Sequence, residues 1–183
     1  MFVVNKIKAF TKTDLGRVAL FVLITFFFHK MWWLFYADFN QVYLINTAQN
    51  FLANNIFNWS FFIDKQILGL NVEINQAERI LLFQDHSFIQ ISKSCSGLKQ
   101  FYQIIVLFIL FPGPRKHKLW FIPLSLLVMH LTNLFRIVFL SLVIVWNFGN
   151  WDFMHSWIMR PFFYVVIFLL WLIWVEKIVQ SDA

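Results

Sequence analysis

The stretch ISKSCSGLKQFYQ, Ile91 to Gln103, holds Cys95, the one cysteine of the 183-residue chain. It stands between Ser94 and Ser96, ahead of Gly97, with Lys93 and Lys99 on either side and an apolar run directly after. Ser94 or Ser96 is placed to cap a helix formed by that run. The thiol then falls in a first helical turn, where the helix dipole favours an anion. Two nearby ammonium groups act in the same sense. These conditions turn a cysteine into a thiolate nucleophile, and the chemistry they suit is attack on a carbonyl carbon with formation of a thioacyl intermediate. The plainer alternative is a small interfacial residue with no chemistry.

A second candidate lies in HLTNLFRIVFL, where Arg136 is embedded in apolar sequence. A charge inside a membrane costs about 3 kcal/mol or more near the centre and marks a functional hypothesis by default. Counted from Leu119, Arg136 lies about 25 Å along a helix, in the outer part of a hydrocarbon core about 30 Å thick and close to the level of Cys95. Asn133, one turn below on the same face, is placed to orient it. The competing reading is an arginine that snorkels outward and only anchors its helix. The third candidate is a proton carrier. Of the five histidines, His155 in NWDFMHSW stands at the outer face just before the last apolar run, and suits proton transfer near neutral pH. His29 is the next alternative by placement, whereas His117 falls in a basic loop on the wrong side, His130 nearer mid-membrane and His86 in a turn.

The elements that must position these residues follow from composition. Hydrophobic residues make up 60% and charged residues 13%, with 25 Phe and 9 Trp; a soluble domain averages about half apolar and about a quarter charged. The excess falls in four runs, Val18–Tyr36, Gly97–Phe111, Leu119–Trp146 and Trp157–Val175. A span needs roughly 20 apolar residues, so the expectation is an all-α integral membrane protein with about four transmembrane helices in a single membrane domain, 1–183. The second run is short and borrows a turn from the Cys95 region. The third is long enough to tilt, or to be two helices broken near Thr132 and Asn133. The first run is read as retained, not as a cleaved leader, because HKMWWLFYA stands where a small-residue cleavage site would be. A lone cysteine excludes an intrachain disulfide, no cluster of metal ligands stands out, and the chemistry needs no cofactor.

The net charge of +6 is not read as a nucleic-acid signal, because the basic residues sit between the apolar runs. Lys6, Lys8, Lys12 and Arg17 precede the first run, Arg115, Lys116 and Lys118 crowd PGPRKHK, and Lys177 follows the fourth. All fall on one side of a four-span chain, which the positive-inside rule makes cytoplasmic. Trp32, Trp33, Trp146 and Trp151 then form an aromatic belt at the outer interface. The other side receives 37–96, an extracytoplasmic insertion. In it Val42, Ile45, Ala48, Leu52 and Ile56 recur at helical intervals and predict a helix lying on the membrane face. Val72/Ile74 and Phe88/Ile89/Ile91, separated by NQAE and QDHS, predict two or three small strands.

SKSCSGLKQF, NLFR and the later His155 together resemble the signature sites of the exosortase/archaeosortase family, and the short, Phe-rich chain is most similar to the small F-type exosortases of flavobacteria. The resemblance covers roughly Ile89 to Trp157. It implies a membrane-embedded cysteine protease or transpeptidase of the bacterial inner (cytoplasmic) membrane, with its active site on the extracytoplasmic side. Such an enzyme cleaves the C-terminal sorting-signal tail of exported proteins and passes the cleaved chain to water or to a surface lipid or glycan acceptor. It implies Cys95, Arg136 and His155 as catalytic residues, with Arg160 a rival for the third place, and Ser94, Ser96, Gly97, Lys99 and Asn133 in support. Two rival readings remain. A transporter lined by His29, His130, Asn133 and Arg136 predicts polar residues at all depths, and a non-catalytic scaffold gives no reason for three reactive residues to share one depth.

Overall fold

The computed structural model describes residues 13–84 and 86–179, so Lys6, Lys8, Lys12 and Asp85 lie outside the described residues. The chain opens with α1, Asp14–Leu34, capped by Thr13, whose Oγ1 accepts the Gly16 N–H at 3.1 Å, with Asp14 in the first turn. A short α2, Tyr36–Gln41, leads to α3, Tyr43–Phe62, which continues into a π-helical turn, Ile63–Ile67. Three strands follow, β1 (Val72–Asn75), β2 (Ile80–Phe83) and β3 (Phe88–Gln90). A 3₁₀ turn, Lys93–Ser96, precedes α4 (Leu98–Leu110) and α5 (Arg115–Asn147). Irregular helical turns over 148–159 join α5 to α6 (Arg160–Trp174), which runs on as a π-helical turn to Val179.

Helices α1, α4, α5 and α6 form a bundle in which sequence neighbours run in opposite directions. Phe108 meets Phe121 while Phe101 meets His130, which sets α4 antiparallel to α5. Phe121 meets Trp174 while Phe135 meets Phe162, which does the same for α5 and α6. Phe21 packs on Trp171 and His29 on Tyr164, closing α1 onto α6. The bundle core is aromatic toward the α4–α5 loop, with Phe108, Phe111, Phe121, Trp171 and Trp174 all at most 2% exposed. Gly113 is required in the α4–α5 loop: its φ is +149°, and a Cβ there would lie 2.6 Å from the Trp174 ring, whose Nε1 donates to the Pro112 carbonyl. Lys118 donates to the Ile109 and Phe111 carbonyls at 2.9 and 2.8 Å, placing a cation at the negative end of α4.

Among the described residues two helical stretches are long and apolar enough to cross a membrane, α1 and the run within Arg115–Val179; α4 is a shorter apolar helix. The third apolar run is one helix of 33 residues, so the break weighed near Thr132 and Asn133 does not occur. Thr132 turns its hydroxyl onto the Val128 carbonyl at 2.8 Å, which satisfies it inside the helix.

The strands form the antiparallel sheet β1-β2-β3, with Val72 opposite Phe83 and Leu81 opposite Ile89. Its inward residues join Ala53, Ile56 and Phe57 of α3 and Ile137, Leu140 and Ile144 of α5 in a second core. This packing rotates α3 relative to the sequence expectation. Its buried face is Gln49, Ala53, Ile56, Phe57 and Ser60, with Asp64 next in line; of the expected stripe Ile56 is buried, Ile45, Ala48 and Leu52 are half-buried and Val42 is exposed. The helix has its inner face against protein on both sides, and polar residues are therefore carried inward with it.

Candidate active site

Cys95 sits in the 3₁₀ turn Lys93–Ser96 and not, as expected, in the first turn of α4. Gly97 separates the two: its φ of +80° is a left-handed conformation that costs other residues about 1–2 kcal/mol. Neither serine takes the expected N-cap position of α4, which is Gly97. Ser96 Oγ accepts the Leu98 N–H of α4 at 3.3 Å, whereas Ser94 Oγ pairs with Ser92 Oγ at 2.7 Å. Within the turn the Cys95 N–H donates to the Ser92 carbonyl at 3.0 Å, and Ser92 Oγ stands 3.7 Å from Sγ.

Asn133 fixes this turn to α5. Its Nδ2 donates to the Cys95 carbonyl at 2.7 Å, and a Cβ at position 97 would lie 3.0 Å from the same nitrogen. Asn133 is 1% exposed and its Oδ1 has no hydrogen-bond partner among the described residues. Asn133 thus serves the Cys95 peptide, where the expectation had it orient Arg136.

Arg136 is held by His155. Its Nη2 lies 2.8 Å from His155 Nε2, and its guanidinium carbon lies 5.7 Å from the centre of the Phe163 ring. A guanidinium only donates, so Nε2 contributes its lone pair and the imidazole is neutral. Burial is the main cause that pushes His155 down to about 4, helped by the Arg136 and Arg160 charges and opposed by Asp152. Trp151 stacks on the imidazole, with ring centres 4.8 Å apart and planes 16° from parallel. Cys95 is within electrostatic reach of Arg136 and packs with Trp151 and Met154 against the second core. Guanidinium and imidazole are thus in contact, and the thiol lies within electrostatic reach of the guanidinium, where the α3–sheet unit abuts the bundle.

The remaining candidates divide into those near this place and those elsewhere. Lys99 interacts electrostatically with Arg136 and Arg160 and has its Nζ 5.2 Å from the centre of the Trp33 ring. Lys93 is committed to α3, donating to Asn46 Oδ1 at 2.8 Å. Arg160 is exposed and acts on both Arg136 and His155. His29 pairs with the Tyr164 hydroxyl at 2.8 Å and His130 with Asn55 Oδ1 at 2.9 Å, so both tie helices together. His86 lies between β2 and β3, and His117 accepts the Trp120 N–H at 3.3 Å. Three residues of the site escaped the sequence reading: Ser92, Trp151 and Asn46. Trp151 stands four residues before His155, the spacing of one helical face, and that was its one available signal.

No family model, no curated protein and no solved structure matches the chain.

Proposed function

We propose that the chain is an integral membrane cysteine transpeptidase or protease of the exosortase type, acting at the outer face of a bacterial inner membrane. The observation that carries the reading is the convergence of Cys95, Arg136 and His155, with Arg136 hydrogen-bonded to His155 at 2.8 Å and Asn133 to the Cys95 carbonyl at 2.7 Å. The sequence likeness of SKSCSGLKQF and NLFR to that family supports it. The membrane setting is supported by the outward faces of all four bundle helices, with Leu23, Ile109, Leu127 and Leu169 among the exposed side chains, an apolar surface far larger than water-soluble monomers expose. The alternating directions of α1, α4, α5 and α6 support four spans. That arrangement gathers Arg17, Arg115, Lys116, Lys118 and Lys177 at one end, the cytoplasmic one by the positive-inside rule.

The chemistry follows from the contacts. A substrate carbonyl oxygen entering beside Cys95 draws the Arg136 guanidinium to itself and frees His155 Nε2. The neutral imidazole takes the thiol proton, and Sγ bonds to the carbonyl carbon. Collapse of the tetrahedral adduct breaks the C–N bond, and the imidazolium passes its proton to the leaving amine. An acceptor amine or hydroxyl of a surface lipid or glycan, or water, then attacks the thioester. Its proton goes to His155 and on to the departing thiolate, restoring the site. The test is mass spectrometry of the chain incubated in membranes with a reporter bearing a C-terminal sorting tail. An acyl adduct on Cys95 is expected. Cleavage of the reporter at an undiminished rate by Cys95→Ala ends the proposal.

A further inference from the structure

Asp64 is the one carboxyl among the described residues that is fully buried, at 0% exposure, and neither of its oxygens has a hydrogen-bond partner within the usual distance. It occupies the π-helical turn that ends α3, the negative end of that helix, where a carboxylate is disfavoured. Ser60, one turn earlier on the same face, is also 0% exposed, and its hydroxyl is likewise without a partner among the described residues. Ser141 of α5 is the hydroxyl that acts on the carboxyl from across the interface, although its Oγ is spent on the Ile137 carbonyl at 3.2 Å. Among the described residues no cation compensates the site. Lys65 is exposed with its Nζ over Phe61, Arg79 is bonded to Asn50 and Asn54 of α3, and Arg136, the only charged residue of α5 beyond Lys118, is bonded to His155. Glu73 of β1 and Glu78 before β2 are exposed, and Asp152 acts on His155.

We propose that Asp64 is a protonatable latch: its neutral form seats the end of α3 on α5, and its ionisation loosens that seat and the turn that carries Cys95. A carboxylate cannot remain unpaired in such a place without large cost. The coupling to the thiol is built into α3. One end of the helix holds Asp64, its other end holds Lys93 of the Cys95 turn through Asn46, and that turn packs on the same helix. An open cavity lies one hydrogen bond away along the backbone. The backbone carbonyl of Asp64 accepts the Leu70 N–H at 2.9 Å, and Leu70, Asn71, Phe83, Gln84 and Val145 line an open cavity of about 230 Å³. Burial pushes the carboxyl up to about 6, opposed only by Ser141. The sign follows: the closed seat is strongest in acid, weakens as pH rises from the ordinary carboxylate range to about 6, and is level above.

The inference is independent of the proposed reaction, and Cys95 provides its readout as the sole thiol. The full chain in detergent micelles is alkylated with a neutral maleimide at pH 5, 6, 7 and 8, beside Asp64→Asn. Dividing the native rate by the variant rate at each pH removes the ionisation of the thiol itself. The quotient is expected to rise about tenfold between pH 5 and pH 7, since roughly one unit of the displaced titration lies above pH 5 and each unit is tenfold, and then to level off. A quotient constant across the range overturns the latch. Should Asp64→Asn not accumulate, amide exchange of 53–67 in the native chain, corrected for intrinsic rates, must show the same rise; its absence overturns the latch equally.

Discussion

The Arg136–His155 contact decides which groups can carry a proton and when. Because the imidazole is neutral and pushed down to about 4, the acid limb of cleavage is expected near pH 4; a limb centred at the ordinary histidine value of about 6.5 removes His155 from the proton path. Trp151→Ala, by opening the stacked ring to water, should move that limb upward while leaving the expression level unchanged, a shift that a merely structural tryptophan would not give. Arg136→Lys should fail nearly as badly as Arg136→Ala, each by about 10²–10³ in rate, because an ammonium cannot serve His155 and an oxyanion with fixed donors. Near-normal cleavage by the lysine variant, with membrane levels checked by blot, reduces Arg136 to an anchor. At this scale Cys95, Arg136 and His155 stood out as candidates because reactive side chains are rare in so apolar a chain, and the fold adds the Arg136–His155 hydrogen bond. Trp151 was not, since a tryptophan at a membrane interface already has an explanation, and only the fold shows that its ring lies on His155.

At the scale of elements the site depends on a break. Gly97 ends the 3₁₀ turn in a left-handed conformation and lets Asn133 approach the Cys95 peptide. Gly97→Ala is expected to destabilise the chain by about 1–2 kcal/mol from backbone strain alone, with a further loss from the contact at 3.0 Å. A double-mutant cycle with Asn133→Ala separates the two parts. The contact part should vanish in the double variant, whereas strict additivity of the melting-point losses means that Asn133 does not press on Gly97. The existence of the helices and strands could be read from periodicity, but the buried face of α3 could not. Periodicity alone could not show that α5, the sheet and the Cys95 turn pack on one side of the helix, and that packing set its rotation. The capping serines misled for a related reason: Ser-Cys-Ser-Gly reads equally well as a helix start or as a turn before one, and the positive φ of Gly97 decides it.

For the whole molecule, the apolar runs announced a mostly helical chain with a few short strands, while the order of helices around the bundle had no counterpart in the sequence. The orientation is open to a direct measurement in a Cys95→Ser background. Glu73→Cys should be labelled from outside intact cells by an impermeant maleimide and Lys116→Cys should not; the reverse pattern inverts the topology and puts the thiol on the wrong face. Asp64, though in the same segment, is unsuited to such labelling because it is fully buried.

The aromatic seal at the α4–α5 end has a consequence of another kind. Trp174 lies over Gly113, with its N–H on the Pro112 carbonyl, above the rings of Phe108 and Phe121. A cell keeps a voltage across the bilayer in which we place this chain, and a guanidinium set among helices invites ions and water to follow it. On the proposed reading the packed rings act as electrical insulation: they close one end of the bundle, so that a chain with a buried charge need not become a leak.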